Sequence, residues 1–476
     1  MVRRARIFTT TMSLHYDPTN LSAALAGSAH GLTAEEIEQA APRALDALAG
    51  FRKSFEEGRY GFPALPFDQP LIDSVAAYAK SVAGQYDTIC VVGIGGSALG
   101  AWALDCGLRG PHPVQRAHSA KNPRLVILDN VDPVFIANAL ASMNPKKTLV
   151  APIAKSGSTA ETMATFLVVQ EWLKAALGAK KALKHIAVVT SEARGDLKQF
   201  ATAHKLPTFH LPENVGGRFS VLSAVGLLPA ALTGVNIKKL CRGAAAMTRQ
   251  CWSRDLNENI ALRSALHHYL IWTARKKSIH VIFPYVNQLW GVAFWFRQLW
   301  AESLGKAKNR KGKTVHVGQT PVAALGTTDQ HSQVQLYMEG PNDKVFTFLA
   351  VAKWATPGKI SRERTGYDSF DYLAGQSLAK LIDSERLATA AALTANGRPN
   401  CTLTLERLDE AGLGALLQFF EFQTAFMGEL LNIDAFDQEG VELGKRFTFG
   451  LMGRVGYEVY LEEYRAYEAQ RADVKL

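Results

Sequence analysis

The chain has 476 residues, more than one hydrophobic core usually serves, so two or three units with room for a deep cleft are expected. Its composition, 47% hydrophobic and 20% charged, excludes disordered and fibrous classes, and no apolar run reaches the ~18 residues of a spanning helix. The net charge of +10 raises the question of nucleic acid, but Lys and Arg are scattered rather than striped, so a small anionic ligand is expected and neither nucleic acid nor a membrane.

The N-terminus carries Arg3, Arg4 and Arg6 ahead of Met12 but lacks the apolar segment of a secretion signal, and Met12 is a candidate start. Thr33-Ala34-Glu35-Glu36 reads as a capping box opening helical segments to about Glu57, interrupted or restarted at Pro42. From Pro70 helices alternate with short apolar runs at 87–93, 124–129, 147–153, 185–190 and 207–211, the pattern of a parallel sheet in an α/β unit. A long helical stretch over about 221–276 leads to a second alternation, with runs at 278–285, 344–353 and 399–406 and a Trp-rich helix around 290–303. From about Asp409 the chain reads as helical with a break near Gly440 and Gly444. Five cysteines without a CxxC pair argue against a disulfide framework or a zinc site, and a reducing compartment is expected.

Candidate chemistry lies at the strand-to-helix turns. Gly93-Ile94-Gly95-Gly96-Ser97-Ala98-Leu99-Gly100 follows the first apolar run, where glycines let backbone amides approach an anionic or polyhydroxyl ligand. It fits a dinucleotide fingerprint poorly, because Ala98 stands in place of the third glycine. Lys155-Ser156-Gly157-Ser158-Thr159-Ala160-Glu161 offers hydroxyls, a lysine and exposed amides for a phosphate dianion, or simply a Ser/Thr-capped helix. It is not a P-loop.

In Val215-Gly216-Gly217-Arg218-Phe219-Ser220 a fixed guanidinium could stabilise an oxyanion. Glu302 ends the Trp-rich helix beside Trp300; it is expected to be partly desolvated, as suits a proton-transferring base, or else to be an ordinary partner of Lys306 at i+4. His331 sits in a polar loop, one of twelve histidines. If 436–445 is helical, Gln438 and Lys445 share one face. The basic run 306–313 is read as a solvated loop that shapes the local field.

In this order the motifs closely resemble those of the glucose-6-phosphate isomerase family, most specifically ENVGGRFSV from Glu213 and FDQEGVELGK from Phe436, with the likeness running from about Pro70 to Lys445. The resemblance implies an α/β protein with two sugar-isomerase-type doubly wound parallel-sheet subdomains: a helical N-terminal segment over 1–69, subdomains over 70–235 and 236–445, and a helical tail over 446–476. It implies a cytoplasmic homodimer with shared sites, a phosphosugar substrate, and no metal or organic cofactor.

It also supplies roles. Glu302 would carry a proton between C2 and C1 through a cis-enediol(ate), and Arg218 would stabilise its charge. His331, oriented by Glu161, would open the ring with help from Lys445. Lys155, Ser156, Ser158 and Thr159 would hold phosphate, and Gly96, Ser97 and Gln438 would contact the sugar.

Two positions depart from the family pattern. Ala154 replaces a serine, removing a hydroxyl donor and shifting load to Ser156 and Thr159. Leu304 replaces an asparagine, a change expected to alter packing more than chemistry. Isomerisation of another phosphosugar, mannose 6-phosphate included, and a non-catalytic phosphosugar sensor are the alternatives; retention of Glu302, Arg218, His331 and Lys445 together argues against the sensor.

Overall fold

A computed structural model describes residues 14–111, 117–472 and 474. The Arg-rich opening and the candidate start Met12 lie outside the described residues. The expected alternation is present. In the first unit β2 (Thr88–Val92), β3 (Arg124–Leu128), β4 (Thr148–Ala154), β5 (Val188–Ser191) and β6 (Thr208–Leu211) form an all-parallel sheet in the order β3-β2-β4-β5-β6. β2 and β4 are buried throughout, as strands covered on both faces must be. The strand order reverses between β2 and β4, so the loops that follow them open on the crevice where doubly wound sheets bind ligands.

The second sheet has the order β1-β12-β11-β7-β10, from β1 (Leu14–Asp17), β7 (Ile279–Pro284), β10 (Thr320–Ala323), β11 (Lys344–Lys353) and β12 (Asn400–Arg407). Four of its strands are parallel, and β1 adds antiparallel to β12. A short antiparallel ribbon of β8 (Lys306–Lys308) and β9 (Thr314–Val317) accommodates the basic run.

The N-terminal segment is helical as expected and differs in two details. It contributes β1 to the second sheet, and its helix Ala34–Glu56 runs unbroken through Pro42, opened by the reciprocal Thr33–Glu36 capping box. The helical stretch after the first sheet is three helices, Ala224–Leu232, Ile237–Cys251 and Ile260–Arg275. The last of the long helices, Glu410–Leu430, is buried along almost its whole length. The helical break falls after it, ahead of Glu442–Leu451, and Gly444 lies inside that helix rather than at the break.

The helix Trp290–Leu304 joins the two sheets. It follows β7 of the second sheet yet packs on the helix Gly96–Arg109 that follows β2 of the first. Gly291 makes the approach possible, since a Cβ there would come within 3.1 Å of the Ala103 Cα. Leu304, its last residue, is fully buried in the main apolar core. Leu304→Asn is therefore expected to lower the unfolding free energy by about 1–3 kcal/mol, because an amide would enter an apolar site. Denaturant unfolding reads this as a lower midpoint at unchanged slope, and an unaltered midpoint would show that the position tolerates a polar group.

Candidate active site

The turns singled out in the sequence meet in one cleft of about 940 Å³, lined by Gly96, Ser97, Lys155, Ser156, Ser158, Thr159, Glu161, Arg218, Glu302, Gln438 and Lys445 among others. The tightest junction is glycine on glycine. A Cβ on Gly96 would lie 2.2 Å from the Gly217 carbonyl carbon, so only hydrogen at residue 96 lets the GIGG turn seat against the GGR turn.

Three helices present their N-termini to this space: Gly96–Arg109, Ala160–Leu177 and Asp196–Ala203. None is capped by a side-chain hydrogen bond, and Thr159 in particular does not cap the helix it precedes. In the first of these helices, the Ser97 and Ala98 amides donate to the Ile94 (3.1 Å) and Gly95 (3.0 Å) carbonyls, so it offers chiefly the positive end of its dipole, while the first-turn N–H groups of the other two have no acceptor among the described residues and are available to an anion. Ser156 and Thr159 face each other with hydroxyls 3.4 Å apart. Lys155 donates to the carbonyls of Glu213 (2.5 Å) and Val215 (3.1 Å). Burial pulls its ammonium below the usual lysine range, Glu213 opposes the shift and Arg194 adds to it.

At the opposite wall Arg218 is only 3% exposed. Its Nε donates to Ser303 Oγ (2.7 Å), its Nη2 to the carbonyls of Ala435 (2.5 Å) and Asp437 (2.9 Å), and its Nη1 faces Gln438 Oε1 (3.4 Å) and Glu302 Oε2 (3.5 Å). Burial weighs against the charged form, Glu302 and Asp437 offset it, and a guanidinium stays charged regardless. The Glu302 side chain is 32% exposed, held from its other oxygen by Gln298 Nε2 at 3.1 Å.

Two expectations about Glu302 change. Trp300, two residues away on the helix, faces the other side, fully buried against His280 and Phe296, so Arg218 and Gln298 set the carboxylate's surroundings. Lys306 does not pair with it, donating instead to the Asp437 carbonyl (2.7 Å) and side chain. Gln438 and Lys445 both line the cleft, but not as one helix face: Gln438 precedes a short 3₁₀ turn, and Lys445 lies in the helix Glu442–Leu451, 2.8 Å from Glu442.

His331 is the exception. It ends a 3₁₀ turn after β10, outside the cleft lining, and this chain alone does not bring it to Glu161. The buried His267 and His268 offer no substitute, because burial lowers both to about 3. Residues given no role from the sequence also line the cleft, notably Gln298 and Arg194. Gln298 was detectable, since it stands one helical turn before Glu302 on the same face.

A family model described as phosphoglucose isomerase matches residues 72–455. The chain belongs to the phosphoglucose isomerase family. It is 42% identical to the glucose-6-phosphate isomerase of Carboxydothermus hydrogenoformans over 420 residues, covering 88% of this chain and 90% of that one. It is 39% identical to a Thermus thermophilus glucose-6-phosphate isomerase over 388 residues, 82% of this chain and 89% of the relative.

Among solved structures, a hypothetical protein from Thermus thermophilus superposes with a TM-score of 0.82 at 36% identity, covering 92% of this chain and 99% of that one. A glucose-6-phosphate isomerase from Chlamydia trachomatis shares the fold at TM-score 0.80 and 20% identity, over 96% and 92% of the two chains. Arg218 ties together the two segments in which the sequence resembles the family most specifically, 213–221 and 436–445.

Because the Arg218 fork is fully engaged, Arg218→Lys is expected to lower turnover about 10²–10³-fold while leaving substrate affinity much less affected, the signature of a donor aimed at developing charge. Steady-state kinetics measures both; a loss confined to KM would place Arg218 in ground-state binding instead.

Proposed function

We propose that this chain interconverts glucose 6-phosphate and fructose 6-phosphate, with Glu302 and Arg218 performing the proton transfer. The observation that carries the reading is the 3.5 Å approach of a partly exposed glutamate to a buried, immobilised guanidinium, in the same cleft as three uncapped helix N-termini.

Phosphate is held on Lys155, Ser156, Ser158 and Thr159, and Gly96, Ser97 and Gln438 contact the sugar. Lys445 assists at the O1 hydroxyl as the ring opens. Glu302 then takes the C2 proton of the open-chain aldose, the electron pair moves into the C1–C2 double bond, and the carbonyl oxygen becomes an enediolate oxygen facing Arg218. The O2 hydroxyl proton passes to O1, moving the charge to O2, and return of the proton from Glu302 to C1 then leaves the carbonyl at C2 of the ketose. One carboxylate serves as base and then acid, so no electron sink is consumed.

Ring opening needs a proton carrier at the ring oxygen, and in our reading this is His331 of the partner subunit in a homodimer, oriented by Glu161. Unsatisfied apolar surface supports dimerisation. No residue of the helix Glu458–Ala472 is fully buried, and Met452 and Val455 are 78% and 89% exposed. Tyr367, Phe370, Tyr372 and Leu378 form a second exposed apolar group, in the segment after β11. We also assign functional units at 70–235 and 236–445, flanked by 1–69 and 446–476, and a cytoplasmic location, which suits five buried, unbridged cysteines.

A coupled assay on purified protein is expected to show fructose 6-phosphate converted to glucose 6-phosphate; binding without turnover would favour a sensor. Glu302→Gln should retain substrate binding and lose several orders of magnitude in kcat. Mixed dimers of Glu302→Gln and His331→Ala chains should recover activity, since one of the two sites would hold both native groups. No recovery despite proven subunit exchange would count against a shared site.

A further inference from the structure

The cleft holds a basic side chain that none of the assigned roles uses. Arg194 lies in the loop after β5, at the mouth of the helix Asp196–Ala203, and lines the cleft beside Lys155 and Ser156. Its position follows from register. Ala154 at the end of β4 pairs with Thr190 on β5, so the chains leaving the two strands, 155–159 and 191–195, emerge side by side. They touch. A Cβ on Gly195 would come 2.7 Å from the Ser156 carbonyl oxygen, and one on Gly157, itself at φ +64, would come 2.9 Å from the Leu197 nitrogen.

The Arg194 backbone is anchored while its head group is free. Ser191 Oγ accepts from the Ala193 and Arg194 amides (3.1 and 3.5 Å) and itself donates to Glu213. Among the described residues no hydrogen bond or ion pair engages the guanidinium, and Glu213, an acid of the same cleft wall, accepts from Ser191. Glu192 and Asp196 flank Arg194 in the loop and are exposed, and neither pairs with it. Two cations, Lys155 and Arg194, thus share one end of the cleft close enough to feel each other. Such repulsion is relieved when a dianion enters between them. At this same end Ala154, which ends β4 in the cleft wall, has no hydroxyl to offer.

We propose that Arg194 is a phosphate-binding residue of this chain, its guanidinium closing over the substrate phosphate opposite Lys155 and supplying the donor that Ala154 lacks. The assignment rests on the phosphosugar reading of the cleft. It gives the loop after β5 a part in substrate affinity, and it makes positions 154 and 194 functionally coupled although one ends β4 and the other lies in the loop after β5. Because the group is solvent-exposed and makes no structural contact, its replacement does not endanger folding.

Arg194→Gln is expected to raise KM for fructose 6-phosphate about tenfold and to weaken competitive inhibition by inorganic phosphate by a similar factor, with a much smaller change in kcat. Arg194→Lys should keep most of the affinity. Adding Ala154→Ser to Arg194→Gln should restore part of it, and by a larger factor than Ala154→Ser produces in the native chain. Phosphate inhibition within twofold of native in Arg194→Gln would overturn the assignment, whatever the isomerase activity. Conversely, calorimetric phosphate binding that depends on Arg194 in a chain with no turnover of fructose 6-phosphate would refute the isomerase reading and leave this one standing.

Discussion

A buried guanidinium is costly unless every donor is used, and the arrangement of this active site follows from satisfying one. Arg218 reaches Ser303 and Glu302 on the helix Trp290–Leu304 and the carbonyls of Ala435 and Asp437 in the segment after Glu410–Leu430. Three chain segments far apart in sequence are thereby fixed on one planar group. Removing any of these partners would leave a buried charge or carbonyl unpaired, so the positions of Glu302 and Gln438 are determined by the same network that stabilises the fold here. Lys306 adds a second tie to Asp437, which also keeps it away from Glu302.

The two ends of the cleft solve different problems. The end built on β4 and β5 offers helix N-termini, hydroxyls and cations, groups that hold a dianion without taking part in bond changes. The end built on Arg218 and Glu302 is immobile and partly closed to water, as charge development in a transition state requires. The sugar must span the two, so anchoring at the first sets the geometry at the second. The helix that follows β7, packed on the helix Gly96–Arg109 that follows β2, is what brings both within one cleft.

Much of this was legible in the sequence because parallel strands covered on both faces read as uninterrupted apolar runs, and the turns that follow them must carry glycine, serine or threonine where backbone and ligand approach. β2, β4 and the capping box at Thr33 are examples. β1 escaped because Leu14-His15-Tyr16-Asp17 lies in a polar opening outside the strand–helix alternation, and β10 because Pro321 within it reads against a strand. Pro42 read as a break, yet the helix continues because its buried face, Ala44, Ala47, Leu48 and Phe51, is secured by tertiary packing. At the site, the residue types were legible while their neighbours were not. Trp300, two residues before Glu302, points the opposite way in space, and Gln438 and Lys445 reach the cleft from a turn and a helix rather than from one helix face. Arg194 had no signal, since a lone arginine in a loop acquires meaning only when β4–β5 pairing sets it next to Lys155.

The central claim is that Glu302 moves a proton next to a fixed Arg218. Isomerisation of glucose 6-phosphate in D₂O followed by NMR tests it most directly. The account predicts deuterium entering C1 of fructose 6-phosphate and C2 of recovered glucose 6-phosphate, with both exchanges abolished together in Glu302→Gln. Turnover that retains the C2 hydrogen without any exchange, or exchange that persists at native rate in Glu302→Gln, would contradict it.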